Sequence, residues 1–485
     1  MLAAPSRTVS NSISISALGA VAKLEVPVVR QHPAWPWQLE ASSTNIGTCW
    51  VFQPENGAAV VVTAAHVVAN VVKPSEHIKL SVPEDPVPYY VKVSAFNAEE
   101  DVALLEFVGK RPEKLRPLRL ARAMGLEPGS TMSIAGWPMG AQRPMVVEAR
   151  LQGHNDHMMV VDGAINPGMS GGPLVALVDG TLMCYGIVSF GLRDANNMTF
   201  ARIPEVILAV WKSSRTLGSN HTGVVPSPYL GLVLADTSEN IMQFKRGEEA
   251  DCRSGALVTW VGPASPLVNT VNPGDIICSV VMHSGAFEGT LMPVDDEGNV
   301  KTATGPVALS ALLATAPLGD QLTLFTYDAE GNKMRRTEVT LSDARTGAQV
   351  APQYPWSPAQ YCALGGYVFV KLLHTHLAAI GMPRDDLARD QVVLSAILGG
   401  SLAAKQPLRA GSVVGRVNGR AVGTVAEVRQ ALQAPLARGG ESDEWLVVET
   451  DVGDVGVLSM AGVLKHEGEL MKTFRFDSCV VGAGA

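Results

Sequence analysis

The chain has 485 residues, 47% of them hydrophobic and 17% charged, too long for one core and too apolar for a disordered polypeptide. A formal charge of −8, with no block of Lys and Arg, argues against a nucleic-acid binder, which needs a basic face. No run of about 18 uninterrupted apolar residues, the requirement for a membrane-spanning helix, is present.

Residues 1–19 carry Arg7, several serines and no acid before Glu25. They are expected to be an N-terminal tail, with a composition that also suits a short transit peptide. The compartment is therefore expected to be intracellular: nucleus or cytoplasm, or an organelle if the tail is a transit peptide. Six cysteines are scattered without a C-x-x-C pair, which predicts mostly free thiols.

From residue 20 to 218 short Val/Ile/Leu runs alternate with Gly, Pro, Asn and Asp clusters, the pattern of an all-β barrel or sandwich. "PEVILAVWKSSRTL" has helical spacing and closes this first domain. A linker follows, then a domain over 226–346 with strand-like "YLGLVLA" and "ALVTWV", helical "GPVALSALLATA", and a hairpin in "DQLTLFTYDAEGNKMRRTEVTL". The Pro-rich "APQYPWSP" separates a third domain, 355–481. It repeats the grammar of the second: strand, Gly-turn-strand, the helix "TVAEVRQALQA", and a further strand.

The stretch "GAINPGMSGGPLVAL" (163–177) contains Gly168-Met169-Ser170-Gly171-Gly172, compatible with two kinds of nucleophilic serine. The elbow of an α/β-hydrolase needs a strand directly before the Ser and a helix directly after it. Asn166-Pro167 and Gly171-Gly172-Pro173 supply loop on both sides, which disfavours it. The loop of a β-barrel protease instead needs glycines that let two N–H groups, here of Gly168 and Ser170, converge on one oxyanion. It also needs a His and an Asp earlier in the chain. "VVVTAAHVV" supplies His66 at a strand end, and "EEDVALLEF" supplies Asp101 before a buried strand. All three residue types, in that order and each in its own motif, point to a serine protease.

"TAAHVV", "DVALL", "INPGMSGGPL" and "AGWPMG" together resemble the signatures of the Deg/HtrA family of trypsin-like proteases. "WPWQL" and "GGYVFVKLL" resemble segments of its plant-type branch with two PDZ-like domains. The resemblance implies a mainly β, multidomain chain: a chymotrypsin-like double β-barrel protease domain followed by two PDZ-like α+β domains. It implies His66 as general base, Asp101 as its orienter, Ser170 as nucleophile, and the amides of Gly168 and Ser170 as oxyanion hole. It further implies an ATP-independent endopeptidase acting on unfolded or damaged proteins, without a cofactor, assembled as a trimer-based homo-oligomer. The strand 184–191 would flank the primary specificity pocket. With no acid there, an aliphatic residue on the acyl side of the cleaved bond is expected. "SPYLGLVLA" resembles a PDZ carboxylate loop, in which the amides of Tyr229, Leu230, Gly231 and Leu232 would bind peptide C-termini. The third domain lacks a clear Leu-Gly loop and is expected to serve assembly. The alternative is a catalytically weak chaperone or peptide-binding scaffold.

Met169 departs from the family pattern, which has Asn before the nucleophile. It cannot pair with a freed α-amino group, so loop order has to come from neighbouring loops or from the oligomer, and Asn at 169 is expected to keep or raise turnover. Two further clusters carry less weight. The pair His154/His157 in "HNDH" can ligate metal but reads as a surface turn, and "HTH" at 374–376 reads as core or surface. "VDDEGNVKT" lacks calcium-loop spacing, and no metal site is expected.

Overall fold

In the computed structural model the described residues are 19–28, 34–38, 43–343, 360–372 and 391–479, less 55–56, 70, 72–76, 123–125, 192–196, 218–222, 239, 242–251, 263–264, 286, 304, 329–332 and 438–443. Residues 1–18 of the tail, the "APQYPWSP" linker and the His374–His376 cluster therefore lie outside the described residues. The chain forms two compact units, one built from residues up to Val28 plus Ser43–Arg345, the other from Val29–Ser42 plus Thr346–Ala485.

The first unit opens with a closed antiparallel barrel. Its strands are β1 (Val21–Val28), β2 (Ser43–Phe52), β3 (Val60–Ala64), β4 (Ile78–Ser81), β5 (Tyr89–Asn97) and β6 (Val102–Phe107), in the order β1-β2-β3-β6-β5-β4. β-Branched runs such as Val60-Val61-Val62 fit the pleated, half-buried surface. Closure removes the exposed edges that such strands would otherwise present. The one-turn helix α1 (Ala65–Val68) follows β3 directly.

A second barrel comprises β7 (Arg119–Leu120), β8 (Thr131–Gly136), β9 (Met145–Asn155), β10 (Met158–Asp162), β11 (Pro173–Val178), β12 (Thr181–Gly191) and β13 (Met198–Arg202). The order is β11-β8-β9-β10-β13-β12, closed by pairing of β11 with β12, with β7 added parallel to β12. Trp50, Leu104, Ile134, Met169 and Ile187, from both barrels, share one buried apolar cluster. Helix α2 (Pro204–Thr216) has Pro at its start, Glu205 in the first turn and Arg215 in the last, as the helix dipole favours. It buries Val206, Ile207 and Val210 into the same cluster.

The rest of this unit holds β14 (Leu232–Ala235), β15 (Ala256–Val261), β16 (Ile276–Met282), β17 (Leu291–Pro293), β18 (Asn299–Thr302), β19 (Gly305–Ala308), α3 (Leu309–Leu313), β20 (Gln321–Asp328) and β21 (Lys333–Thr340). The sheet order is β14-β15-β16-β20-β21, which leaves β14 at an edge. β20 and β21 form the expected hairpin, Gln321 facing Thr340 and Asp328 facing Lys333.

In the second unit β22 (Tyr361–Leu364), β23 (Tyr367–Lys371), β24 (Val392–Ile397), β25 (Val413–Val417), β26 (Arg420–Ala421), β27 (Trp445–Thr450) and β28 (Val455–Ser459) form a sheet ordered β22-β23-β24-β25-β27-β28. It is accompanied by α4 (Val425–Ala437) and α5 (Met460–Phe474). Sequence order places residues 29–42 with the first barrel, but they belong to this unit. Trp37 donates its indole N–H to the Phe474 carbonyl at 2.8 Å and packs on Tyr361 and Phe476 at 5.3 and 5.1 Å between ring centroids.

The expectation of mostly free thiols is corrected. Cys252–Cys278 and Cys362–Cys479 are disulfides, while Cys49 and Cys184 are free and buried. The paired residues stand 26 and 117 positions apart in sequence, but their Cα atoms are 5.4 and 5.6 Å apart, within bridging range. Burial pushes both free thiols up, Cys184 to about 12, which leaves them unreactive.

Candidate active site

β3 delivers His66 to the mouth of the first barrel because its apolar run ends at Ala64, where α1 begins. Antiparallel pairing sets Ala64 opposite Val102, the first residue of β6. Asp101 therefore arrives beside His66 from the end of the neighbouring strand. The Ala65 N–H donates to the Asp101 carbonyl at 3.0 Å and the His66 N–H to Asp101 Oδ1 at 2.8 Å. The His66 ring adds Nδ1 contacts of 3.0 and 2.9 Å to Oδ1 and Oδ2. Ser189 of β12 donates its hydroxyl to Oδ2. Asp101 has a φ of 53°, a left-handed conformation that Asp tolerates better than most residues.

These contacts set the charges. Burial raises the Asp101 carboxyl, but the bonds from His66 and Ser189 outweigh it and hold the group below its ordinary value. Burial likewise lowers His66, while the hydrogen bond and charge of Asp101 raise it, with a net upward shift. The side chain is 49% exposed, so its free edge reaches solvent.

Ser170 shares a cleft of about 450 Å³ with His66, Gly168, Pro167, Ile46 and Met139. Among the described residues no hydrogen bond joins Ser170 to His66, a contact that in unliganded enzymes commonly tightens only with substrate bound. The loop carrying Ser170 is pinned along its length. Pro167 O accepts from Met139 N at 2.6 Å, Met169 N donates to Asn166 O at 3.0 Å, and Met169 O accepts from Gly172 N at 2.9 Å. Neither the Gly168 nor the Ser170 amide has a partner among the described residues. Gly168 has a φ of 97°, and a Cβ there would lie 2.3 Å from Trp137 O, so only glycine fits. Such an arrangement suits acyl transfer: a hydroxyl, an imidazole fixed by a carboxylate, and two amides free to meet a developing oxyanion.

Two features were not legible in the sequence. Thr48, fully buried in β2, bonds to the Ser170 loop, with no local signal beyond a Thr in an apolar strand. Glu100, the residue before Asp101, is buried with Arg202 at 3.2 Å and His157 at 2.5 Å. His157 is thus not on a surface turn: the turn after β9 folds inward to meet Glu100. His154 is depressed by burial. Among the described residues no group of three or more His, Cys, Asp or Glu is placed to hold a metal ion.

On the 184–191 strand, Phe190 stacks on Phe200 at 4.8 Å, and Ile165 lies against Gly191. A separate groove of about 260 Å³ lies between the edge strand β14, through Leu232 and Leu234, and α3, through Leu309 and Leu313. Tyr229 and Leu230 also line it, but Tyr229 N already donates to Ser342 O at 2.9 Å. That corrects the expectation that all four amides face a ligand. In the second unit a Leu364-Gly365-Gly366 turn does join β22 to β23. Its Gly365 amide donates to the buried Glu467 carboxylate at 2.9 Å, and Ser478 donates to the same carboxylate at 2.6 Å.

Residues 47–184 match the trypsin-like peptidase domain. The chain is 26% identical over 290 residues to protease Do-like 2, chloroplastic, of Arabidopsis thaliana, covering 57% of this chain and 44% of that one. It is 25% identical to "Putative protease Do-like 13" of the same plant, covering 76% and 72%, and 27% identical to serine protease HTRA1B of Danio rerio, covering 46% and 47%. The match thus spans under half the length of two of these three relatives. Among solved structures it is similar to an HtrA-type protease AlgW bound to a decapeptide, at 19% identity and a TM-score of 0.46, covering 68% of this chain and 98% of that one.

The chain is thus of mainly β, multidomain build, with a region, residues 47–184, similar to the trypsin-like peptidase domain. It is similar to Deg/HtrA proteases, the Arabidopsis Do-like proteases among them.

Proposed function

We propose that the chain is an ATP-independent serine endopeptidase that cleaves unfolded or damaged proteins through Ser170, His66 and Asp101. The observation that carries this reading is the Asp101–His66 pair opening onto the cleft that also holds Ser170. Ser170 Oγ attacks the peptide carbonyl and passes its proton to His66 Nε2, while Asp101 holds the imidazole tautomer and stabilises its charge. The Gly168 and Ser170 amides take the oxyanion, and His66 then protonates the leaving amine. Water repeats the cycle on the acyl-enzyme. The apolar surroundings of Phe190 and Ile165 favour an aliphatic acyl-side residue.

The domain over 226–346 recruits peptide C-termini at the β14–α3 groove, where a peptide can add to the edge strand. The domain over 355–481 serves assembly, since its glycine turn already binds Glu467. A trimer-based homo-oligomer follows from kinship with the Deg/HtrA proteases. For compartment we favour an organelle: two disulfides suit oxidising surroundings, and related proteases carry chloroplastic and mitochondrial names. Among the described residues no helix is long and apolar enough to cross a membrane.

Met169, standing where the family pattern has Asn, favours the second reading, a weakly catalytic chaperone or scaffold. Casein digestion by the purified protein, with and without a serine-directed fluorophosphonate and beside Ser170→Ala, separates the two. Fluorophosphonate-sensitive digestion that is lost in Ser170→Ala supports the protease.

A further inference from the structure

We infer that Thr48 is a positioning residue that holds the Ser170 loop in its oxyanion-binding form; this rests on the protease reading above. Met169 excludes an ion pair to a freed N-terminus, so loop order needs another source. Thr48 has the contacts to supply it. It is 0% exposed, and its hydroxyl accepts from Trp137 N at 2.9 Å, which directs its own proton to Gly168 O at 2.7 Å. Its backbone N–H donates to Ser170 O at 3.0 Å, and its carbonyl accepts from the Thr63 hydroxyl at 2.8 Å.

The carbonyl of Gly168 belongs to the peptide joining Gly168 to Met169. Turning that peptide over would take the Gly168 carbonyl away from Thr48 and the Met169 N–H away from Asn166 O, and so release the loop that places the Gly168 and Ser170 amides. Thr48 Oγ1 makes the turn costly, because both Gly168 O and the buried Thr48 hydroxyl would lose a partner. The Gly171 turn closes tightly over the same residue: a Cβ there would lie 2.3 Å from Thr48 O. One residue on β2 thereby connects the end of β8 and the glycine loop through its side chain, and the nucleophile through its backbone N–H.

The test compares Thr48→Val, which removes the hydroxyl at similar volume, with Thr48→Ser, which keeps it. On a peptide substrate Thr48→Val should lower kcat by about 10- to 100-fold, less than deleting an oxyanion donor outright, with KM changed by less than about 3-fold. Thr48→Ser should recover most of the loss. Affinity for a peptide aldehyde, whose hemiacetal oxygen mimics the oxyanion, should fall in parallel with kcat/KM, a correlation that general destabilisation does not produce. Crystal structures of the parent and Thr48→Val decide the point independently of turnover. A parent that cleaves nothing overturns the protease reading, whereas a Gly168 carbonyl unmoved in Thr48→Val, or a variant with parental kcat, overturns this inference. A reoriented Gly168–Met169 peptide supports it.

Discussion

Ser227 donates its hydroxyl to Glu100 Oε1 at 3.3 Å and accepts from the Asn97 side-chain amide at 3.0 Å. The segment leading to β14 is thus bonded to the residue directly before Asp101. Glu100 also meets His157 and Arg202, all largely buried, so the segment before β14, the turn after β9 and β13 converge on one carboxylate.

That convergence makes Arg202 a stability residue. Arg202→Met strands a buried carboxylate, and removing one partner of such a pair costs about 3–5 kcal/mol. Urea unfolding at pH 7 measures it, and a loss below about 1 kcal/mol would contradict the assignment. The pH dependence has a definite sign. Burial raises the Glu100 carboxyl, but His157 and Arg202 lower it more, so its folded value lies below its ordinary 4.5. Its contribution is fully present above the unfolded value and is lost as pH falls through the folded one. Arg202→Met should flatten that acid limb.

Turnover should show its own acid limb. His66 must be neutral to accept the Ser170 proton, and Asp101 raises it above its ordinary 6.5. The pH profile of kcat/KM should therefore fall through a value higher than 6.5 as pH is lowered. In stability the sign reverses: the His66–Asp101 pair contributes fully below the unfolded His value and loses that contribution as pH rises through the folded one.

Asp101→Asn should reduce kcat by roughly 10⁴-fold through the wrong imidazole tautomer, with KM little changed. Steady-state kinetics on one peptide substrate is sufficient, and a near-parental rate would mean that another group orients His66.

Met169 is 0% exposed and belongs to the central apolar cluster. A Cβ on Gly136 would meet its Cα at 3.1 Å, so the space around it is tight. Asn at this position matches the family pattern, yet here it would bury an amide among apolar groups at a cost of about 1–3 kcal/mol if unpaired. Met169→Asn should therefore lower the thermal midpoint and leave turnover at or below the parent, which revises the expectation from the sequence. A variant of unchanged stability and raised rate would restore it.

Reducing Cys362–Cys479, or replacing both residues with Ala, should destabilise the second unit. The loop it closes is long, and such bonds contribute about 2–4 kcal/mol. Calorimetry with and without reductant reads the effect, with the transition of the first unit serving as reference for the shift.

Residue order alone carried the features that depend on neighbours in sequence. Alternating apolar runs forecast the strands, the polar run after Tyr327 forecast the β20–β21 hairpin, and Pro204 with its apolar spacing forecast α2. The glycines around Ser170 forecast a loop, because positive φ and close backbone approach leave few other residues able to stand there. His66 and Asp101 were readable because each ends or begins an apolar strand. Only the tertiary structure could decide what is joined across the chain. Thr48 and Gly168 are 120 positions apart, and Trp37 and Phe474 are 437 apart. The disulfides, the inward turn of His157 and the occupied Gly365 amide belong to the same class. Strand register and closure of the barrels bring those partners together, and composition and local spacing carry no record of register between distant strands.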